Sequence, residues 1–443
     1  AYAIGISDVD PIRHSLLFER FLNPERASPP DFDVDFCHVR RGEVFRHLWD
    51  RYPGRIAHVV AFGAFGARSA IRDSARALRL PAGKTERLLR LIADDRESGI
   101  QHAISRDSLL RREYDNDAVC RRTLDCAAAI EGLPRHAGTH AAGLVISDKP
   151  LAEVLPLAID KDGHLVTQYS AEHIGDFGLL KMDLLGLRTL TVVDKTMELI
   201  KAAGGESPDL DRLPENDSRA LDLLCRGDTI GVFQLESAGM RDLLRRAGVR
   251  SIEELMALIA LYRPGPMSVI QDYLARKTAK TPPDFAHPLL KPVLEETFGV
   301  VVYQEQAMEI AMRLAGFTAG MADRFLWAIG RSRGPSEFRT PFTAGCARTH
   351  GIPLETADGI FDMLSVASGF TFNKAHSAAY AFLSYRTAYL KANHPTEFMA
   401  ALASSEMGET GKLGTYLSEA VEMGLKILPP SINDSGESFE PGD

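Results

Sequence analysis

The stretch Asp31-Phe32-Asp33-Val34-Asp35 alternates acidic and apolar residues without interruption. In an extended strand, this alternation places all three carboxylates on one face. Like charges so close together repel one another, and burial adds a desolvation cost. Because a bound divalent cation would offset both costs, the stretch predicts a strand that supplies half of a two-metal site.

Other sites with paired aspartates fit this stretch less well. A calcium loop of the EF-hand type needs Gly at its sixth position and Glu at its twelfth, where this chain has Phe36 and Gly42. That difference excludes a calcium loop. A phosphohydrolase with an aspartate nucleophile also uses Asp-x-Asp, usually at the end of an apolar strand, whereas Ser28-Pro29-Pro30 precedes the acids here. That interpretation stays open, as does an edge strand that keeps its charges in water.

The composition is that of an ordinary globular protein, with 443 residues, 45% of them hydrophobic and 25% charged. A chain of this length predicts about two to four lobes. No apolar run approaches the roughly 18 residues that span a bilayer, and the N-terminus lacks a signal-peptide pattern, so we expect a cytoplasmic protein. The five cysteines fit neither disulfide pairing nor a zinc spacing, and we expect reduced thiols. The chain starts with Ala and ends without completing an element, which predicts a part of a longer protein.

The formal net charge of −9 argues against a polyanionic partner, but the distribution of charge matters more than its sum. Between positions 68 and 90, seven cations stand against Asp73 and Glu86. The cations are Arg68, Arg72, Arg76, Arg79, Lys84, Arg87 and Arg90. The first of them are three or four residues apart, which places them along one helix face. Such a face could follow a DNA backbone, or it could simply be solvated.

Hydrophobic periodicity predicts an α+β protein, with a small mixed sheet, a helical insertion, a return to the sheet and a large helical lobe. Helices are predicted at 40–52, within 68–130, and throughout the region from 190 onward, including 252–261, 305–314 and 378–392. Strands are predicted at 143–147 and 165–169.

A second acidic residue is predicted to complete the metal site, because one strand supplies too few ligands for two ions. Asp183 is the only acid in the apolar segment 179–186, and Lys181 shares its face if the segment is a strand. The functional interpretation gives Asp183 to the metals and Lys181 to a phosphate oxygen. The alternative is a salt bridge between Lys181 and another acid.

Six segments of the chain resemble family C of the bacterial replicative DNA polymerases, in order and in spacing. They are residues 30–36 with Arg40-Arg41, 178–190, 231–237, 262–266, 302–306 and 372–380. The resemblance implies a palm of the polymerase-beta nucleotidyltransferase type at residues 1–62 and 139–188. It further implies a helical thumb inserted at 63–138 and a large, mostly helical fingers lobe at 189–443, C-terminally incomplete.

The resemblance also implies the chemistry and the residues that carry it. The catalytic, metal-binding carboxylates would be Asp31, Asp33 and Asp183, with Asp35 as a supporting residue. Two Mg²⁺ ions would assist the attack of a primer 3′-hydroxyl on the alpha-phosphate of a deoxynucleoside triphosphate. The residues expected to contact the nucleotide are Lys181, Arg20, Arg26, Arg263, Asn373, Lys374 and His376. Arg68, Arg72, Arg76 and Arg79 would contact DNA.

Several of these residues have a structural alternative. Arg263 could anchor its turn, and His376 could be a structural histidine. The helix that opens at Tyr303-Gln304-Glu305-Gln306 could contact template or brace the fingers, and we favour bracing. His136 and His140 have the spacing of a helical metal pair, but Gly138 between them and the family context favour palm structure or proximity to DNA, and we assign no zinc to them.

The expected partners are primer-template DNA and deoxynucleoside triphosphates. A sliding clamp and other replicase subunits are expected to bind through regions outside this chain. The expected location is the cytoplasm, in association with the nucleoid. One departure from the family pattern stands in the fingers, where Leu326-Trp327 replaces a usual pair of arginines. Either Arg324, Arg331 and Arg333 contact the phosphates instead, or the chain is a divergent paralogue that binds primer-template without synthesis.

Overall fold

The computed structural model describes residues 2–21, 23, 32–92, 99–263, 265–279, 283, 285–330, 335–433 and 435–442. The chain divides into two compact units. The sheet unit comprises Asp31–Phe36 and Arg40–Gly186, and the helical unit comprises Ala1–Pro30, Cys37–Val39 and Leu187–Asp443.

The sheet unit is built on one six-stranded mixed sheet with the strand order β1-β6-β3-β2-β5-β4. Its strands are β1 (Phe32–Cys37), β2 (Ile56–Ala64), β3 (Pro134–Ile146), β4 (Leu157–Ile159), β5 (Leu165–Ser170) and β6 (Lys181–Leu187). Strand β3 runs antiparallel to β2 and β6, β4 runs antiparallel to β5, and β2 runs parallel to β5. The mixed α+β class is therefore confirmed, as are the strands predicted at 143–147 and 165–169.

Strand β2 and the first half of β3 were not predicted. The first five residues of β2, starting at Ile56, are all buried, so their burial shows no alternation that would mark a strand. Strand β3 opens with Pro, His and Gly residues, which are poor or neutral strand formers. Pairing with β2 over most of its length overrides that local preference.

The helices of the sheet unit are α1 (Arg41–Arg51), α2 (Ala67–Ala77), α3 (Ala82–Leu91), α4 (Gly99–Arg106), α5 (Ser108–Asn116), α6 (Ala118–Ile130) and α7 (Ala171–Ile174). The long helical stretch predicted at 68–130 is therefore interrupted. Asp107 and Asp117 explain two of the interruptions, because each side chain accepts two backbone N–H groups and so caps the helix that follows. Helices α2 to α6 share a hydrophobic core of their own, which includes Ile71, Leu89 and Leu124.

Each face of the sheet buries a different apolar cluster. One cluster joins Phe45 of α1 to Leu144 of β3 and Leu184 of β6, with Val34 and Phe36 of β1 packed against it. The other contains Ala57, Val59, Val145, Leu151, Leu155, Ile174 and Leu179. Both faces of the central strands are thus partly covered by apolar residues. A polar side chain on either face therefore loses contact with water unless it has a partner in the protein.

The helical unit confirms the predicted excess of helix after residue 190. Its helices are α8 (Arg188–Ala202), α9 (Ser218–Arg226), α10 (Ala238–Ala247), α11 (Ile252–Leu261), α12 (Ile270–Thr278), α13 (Lys291–Leu294), α14 (Gln304–Ala315), α15 (Ala319–Gly330), α16 (Pro335–His350), α17 (Leu354–Ser368), α18 (Lys374–Asn393), α19 (Pro395–Ser405) and α20 (Thr410–Glu422). The N-terminal segment belongs to this unit, since Val9 lies in the same core as Leu258 and Tyr385.

No helix within the described ranges is both long enough and apolar enough to cross a membrane. The five cysteines carry free thiols, two of them buried, Cys120 and Cys346.

Candidate active site

Strand β1 presents its acids on the face opposite its apolar residues. Val34 and Phe36 pack into the cluster beneath α1, so the alternation of the strand turns Asp33 and Asp35 to the other face. Asp33 is exposed and Asp35 is half-buried. Asp31 lies outside the described residues.

Strand β6 is the neighbour of β1 in the sheet and brings Asp183 to the same face. Leu184 packs into the cluster that also receives Val34 and Phe36, and Asp183, the preceding residue, faces the opposite way. The prediction that an acid about 150 positions after the pentad joins the same sheet is therefore matched by strand order and by face.

The Asp183 carboxylate has only part of its hydrogen-bonding capacity satisfied. Its Oδ2 accepts a hydrogen bond from Lys181 Nζ at 2.7 Å, with the two side chains 23% and 12% exposed for Lys181 and Asp183. Its Oδ1 is buried and has no hydrogen-bond partner. A buried acceptor without a donor costs about 1–3 kcal/mol, so the structure carries a penalty that a bound cation at this oxygen would remove. The site therefore fits a divalent cation.

Gly143 and His140 of β3 close the site on the side opposite β1. Gly143 pairs with Asp183 across the strands. A Cβ atom at position 143 would lie 2.7 Å from His140 Nδ1 and 3.2 Å from Asp183 Oδ1. His140 Nδ1 accepts the backbone N–H of Gly143 at 2.6 Å. Position 143 therefore needs glycine, and the His140 side chain supports the backbone of β3.

The three described carboxylates on this face do not form a compact ligand cluster. Among the described residues, Asp33, Asp35 and Asp183 do not form a group of three whose ligand atoms lie within 4.8 Å of one another. Carboxylates repel one another unless a cation lies between them. Their roles as metal ligands stay a prediction.

Asn373 and Lys374, predicted to contact the nucleotide, have structural partners in the helical unit. Asn373 Oδ1 accepts the backbone N–H of His376 at 2.8 Å and so caps α18. Lys374 is 5% exposed, and its Nζ donates to both oxygens of Glu296 at 2.8 Å. His376 lies against Tyr380, with ring centroids 4.2 Å apart. Nucleotide contact by these residues stays a prediction.

Arg263 and Arg20 also lie among partners within the helical unit. The Arg263 guanidinium donates to the carbonyls of Ala260, Phe370 and Thr371 and stacks over Phe372 at 4.3 Å. This is the turn-anchoring role that the sequence left open. Arg20 donates to Gln304 Oε1 at 2.7 Å and lies 3.7 Å from Asp323 Oδ1. Arg26 lies outside the described residues.

The cationic segment predicted to contact DNA is partly neutralised by acids of the same unit. Arg68 is half-buried and donates to the Leu89 carbonyl at 3.1 Å, while Arg72, Arg76 and Arg79 are exposed. The Asp73 carboxylate forms salt bridges with Arg76 and with Arg135, both at 2.8 Å. Further along, Lys84 pairs with Asp117, and Arg87 pairs with Glu113 at 2.6 Å. Arg72, Arg76 and Arg79 of the predicted set are thus the ones that reach solvent.

The Leu326-Trp327 pair has an unequal environment on α15. Leu326 is 7% exposed and belongs to the core that contains Phe325 and Phe342, whereas Trp327 is 58% exposed. A charged residue at 326 would be buried in that core. Arg324 is exposed, and Arg331 and Arg333 lie outside the described residues.

A cluster that the sequence did not indicate lies on the sheet unit, where His58, Asp160 and His164 bring one ligand atom each within 4.8 Å of one another. The only sequence signal was the pair Asp160 and His164 across a Gly-containing turn. His58 is too far away in the chain for its spacing to reveal it.

Two family models match the chain in succession. Residues 1–186 match the model described as the bacterial DNA polymerase III alpha NTPase domain, and residues 189–350 match that of the bacterial DNA polymerase III alpha subunit finger domain.

Full-length relatives align along almost all of the chain. The DNA polymerase III subunit alpha of Thermus aquaticus is 43% identical over 450 residues, covering 99% of this chain and 37% of the relative. That of Caulobacter vibrioides is 44% identical over 446 residues, covering 99% and 39%, and that of Escherichia coli K12 is 42% identical over 460 residues, covering 100% and 39%. The chain thus spans less than half the length of these curated relatives. With both family models and these identities along its whole length, the chain belongs to the family of bacterial DNA polymerase III alpha subunits.

Proposed function

We propose that the chain is the catalytic core of a DNA-directed DNA polymerase, part of a longer replicase subunit that extends a primer 3′-hydroxyl on a DNA template. The observation that carries this proposal is the face shared by Asp33, Asp35 and Asp183 on adjacent strands, where a buried carboxylate oxygen has no donor. Template-directed nucleotidyl transfer needs carboxylates grouped on one rigid face, and two paired strands supply it.

Asp31, Asp33 and Asp183 would hold two Mg²⁺ ions, with Asp35 in support. When bound, these ions would supply the positive charge that lowers the pKa of the primer hydroxyl and neutralises the phosphates. The protein's own groups would do the positioning. Lys181 lies within hydrogen-bond distance of Asp183 and would turn to a phosphate oxygen once a cation neutralises the carboxylate. Gly143 keeps the space above Asp183 open.

The remaining contacts are proposed from the family resemblance. Arg20, Arg26, Arg263, Asn373, Lys374 and His376 would line the nucleotide site, and Arg68, Arg72, Arg76 and Arg79 would follow the DNA backbone. We propose the palm, thumb and fingers division at 1–62 with 139–188, 63–138 and 189–443, and partners that include a sliding clamp and other replicase subunits.

The test is primer extension by the full-length protein that contains this chain, with Mg²⁺ and a labelled primer-template. Asp183→Asn keeps the shape of the side chain and removes the charge, and we expect extension to fall by about 10³-fold or more, since several kcal/mol of charge stabilisation are lost. Asp176→Asn is the matched control, because Asp176 is 75% exposed in the same unit and pairs only with His173 among the contacts of the described residues.

A paralogue that binds primer-template without synthesis is the second candidate, and the buried Leu326 in place of an arginine favours it. Primer-template binding, measured by fluorescence anisotropy, separates the two. Lost extension with retained binding in Asp183→Asn supports the polymerase. Tight binding without extension by the unmutated protein, under conditions where the Thermus aquaticus relative extends the same primer, overturns the polymerase proposal.

A further inference from the structure

We propose that His58, Asp160 and His164 form a site for a divalent transition-metal ion of the zinc class, separate from the carboxylate face. The topology of the sheet assembles this site. Asp160 directly follows β4 and His164 directly precedes β5, so the β4–β5 turn holds both. Strand β5 runs beside β2, where His58 pairs with Val166.

The donor atoms are already close to coordination distance. One ligand atom from each residue lies within 4.8 Å of those of the other two, and His164 Nδ1 is 3.8 Å from Asp160 Oδ2. Ligands about 2.1 Å from a tetrahedral zinc ion are about 3.4 Å apart. His164 is 41% exposed and directly precedes β5 at the β4–β5 turn, so its side chain has room to move toward the other two ligands.

His58 provides the independent sign of a missing ligand. Its side chain belongs to a residue that is only 8% exposed, and its Nδ1 is buried without a hydrogen-bond partner. A neutral imidazole with an unused ring nitrogen is the form that binds a metal.

Asp160 is held ready as a carboxylate. Its Oδ1 accepts the backbone N–H groups of Asp162 and His164, both at 2.9 Å. The other oxygen, Oδ2, is the one that faces His164.

The surroundings leave one coordination position open to solvent. Trp49 stacks on His164 with ring centroids 4.3 Å apart and contacts His58 at 5.0 Å, so it orients both imidazoles. The three residues line a cleft of about 1460 Å³. Basic and acidic side chains line this cleft in equal number, namely Arg41, Arg46, Lys161, Asp50, Asp160 and Asp162. Three protein ligands and an open position are the arrangement of many zinc sites.

This site and the carboxylate face lie on opposite sides of the sheet. Asp183 pairs with Gly143, whereas His58 pairs with Leu144, the next residue of β3. Successive residues of a strand point to opposite faces. The donor types differ as well, since two imidazole nitrogens and one carboxylate favour zinc-class ions, whereas oxygen-only sites favour Mg²⁺. A bound ion would fasten the β4–β5 turn to β2.

Cobalt(II) titration of the full chain tests the proposal, with Mg²⁺ in excess to occupy the oxygen-only site. We expect one equivalent of Co²⁺ to give the intense visible absorption of four-coordinate cobalt, and Zn²⁺ to displace it. His164→Ala should weaken binding by about tenfold or more, the effect expected when a ligand is lost. The matched control is His173→Ala, because His173 Nδ1 lies 3.3 Å from Asp176 Oδ2 without a third ligand beside it among the described residues.

His164 is chosen because its exposure makes the variant tolerable for folding, and far-ultraviolet circular dichroism of both variants checks this. Equal cobalt affinity in His164→Ala and His173→Ala overturns the proposal. So does the absence of four-coordinate absorption from the folded protein at one equivalent. If inorganic phosphate binds in the cleft and cobalt does not, the cleft is an anion site, and the proposed metal site is likewise overturned.

Discussion

Two ion pairs, Lys181 with Asp183 and Lys374 with Glu296, each contain a lysine that the family resemblance predicts to contact the nucleotide. Their surroundings differ. Lys374 Nζ meets both oxygens of Glu296, and its backbone N–H is accepted by Glu305 Oε2 at 2.9 Å. Lys181 meets one oxygen of Asp183, and the other oxygen is buried without a partner. The first pair is complete and the second is not.

The difference indicates what each pair can do. A carboxylate with both oxygens bonded to a buried ammonium stabilises the packing around it and has little capacity for a further cation. A carboxylate with an unsatisfied buried oxygen is less stable until a cation arrives. Unsatisfied polar groups of this kind concentrate at functional sites, where stability is exchanged for binding. We therefore expect Mg²⁺ to distinguish the two pairs.

The largest expected effect comes from removing each lysine. Lys181→Met should lower the free energy of unfolding by about 2–4 kcal/mol in chelator, because it leaves the largely buried Asp183 carboxylate without its cation. Lys374→Met should lower it by less, because the Glu296 side chain is 32% exposed and water can solvate its charge. Millimolar Mg²⁺ should restore most of the loss in Lys181→Met, by about 2.7 kcal/mol at 100 times the dissociation constant. It should restore nothing in Lys374→Met.

The chain has two tryptophans, one in each unit, which makes the measurement selective. Urea unfolding followed by fluorescence in a Trp327→Phe background reports the sheet unit through Trp49, and a Trp49→Phe background reports the helical unit through Trp327. Adding Glu296→Gln to Lys374→Met should recover part of the loss. Recovery of Lys374→Met in Mg²⁺, or none in Lys181→Met, would remove the distinction between the pairs.

A smaller effect is expected from Gly143→Ala, which adds a methyl group between His140 and Asp183. The new Cβ would lie 2.7 Å from His140 Nδ1, so neighbouring atoms must move at a cost of about 1–3 kcal/mol. Gly138→Ala in the same strand is the control, since the nearest atom to its Cβ is the Ala61 carbonyl oxygen at 3.8 Å. Urea unfolding in the Trp327→Phe background measures both. Equal stability of the two alanine variants would show that β3 does not need its close approach to Asp183.

The smallest effect concerns pH and Glu305, which lies beside the complete pair. Glu305 is 2% exposed and its Oε1 has no partner, and burial raises its pKa above the usual 4.5 although the backbone N–H of Lys374 opposes this. A carboxyl group with a raised folded pKa binds its proton more tightly in the folded state. Its contribution to stability is therefore full below the unfolded pKa and is lost as pH rises through the folded pKa.

Glu305→Gln should remove that loss. Relative to the unmutated protein, we expect its free energy of unfolding to increase as pH rises above about 4.5. Urea unfolding in the Trp49→Phe background at a series of pH values provides the comparison. Parallel pH profiles for the two proteins would mean that Glu305 is equally acidic in the folded and unfolded states.

Much of the carboxylate face was predictable from sequence. Alternation in the pentad identified the face of β1, and a lone acid in an apolar segment identified Asp183 and its lysine. Both signals are local, because the side-chain period of a strand appears in its own residues. The helix caps at Asp107 and Asp117 are equally local signals. The hydrophobic periodicity of 68–130 did not reveal these helix boundaries, because a cap leaves the apolar spacing on either side intact.

The partners of the lysines and histidines were not predictable. Lys374 and Arg263 were predicted to contact the nucleotide, yet their partners, Glu296 and the Phe370 carbonyl, are 78 and 107 residues away. His58 gave no signal at all, because its neighbours Asp160 and His164 reach it only through the pairing of β2 with β5.

The sequence alone determined the α+β class, the strands that carry the acids, the predominance of helix after residue 190 and the family of the protein. These follow from residue order, through the two periodicities of strand and helix and through segments shared with relatives. Only the tertiary structure decided which charges are satisfied and which are not. Hydrogen-bond satisfaction depends on groups that folding brings together from distant positions, and the unpartnered oxygen of Asp183 and the unpartnered nitrogen of His58 exist only in that arrangement.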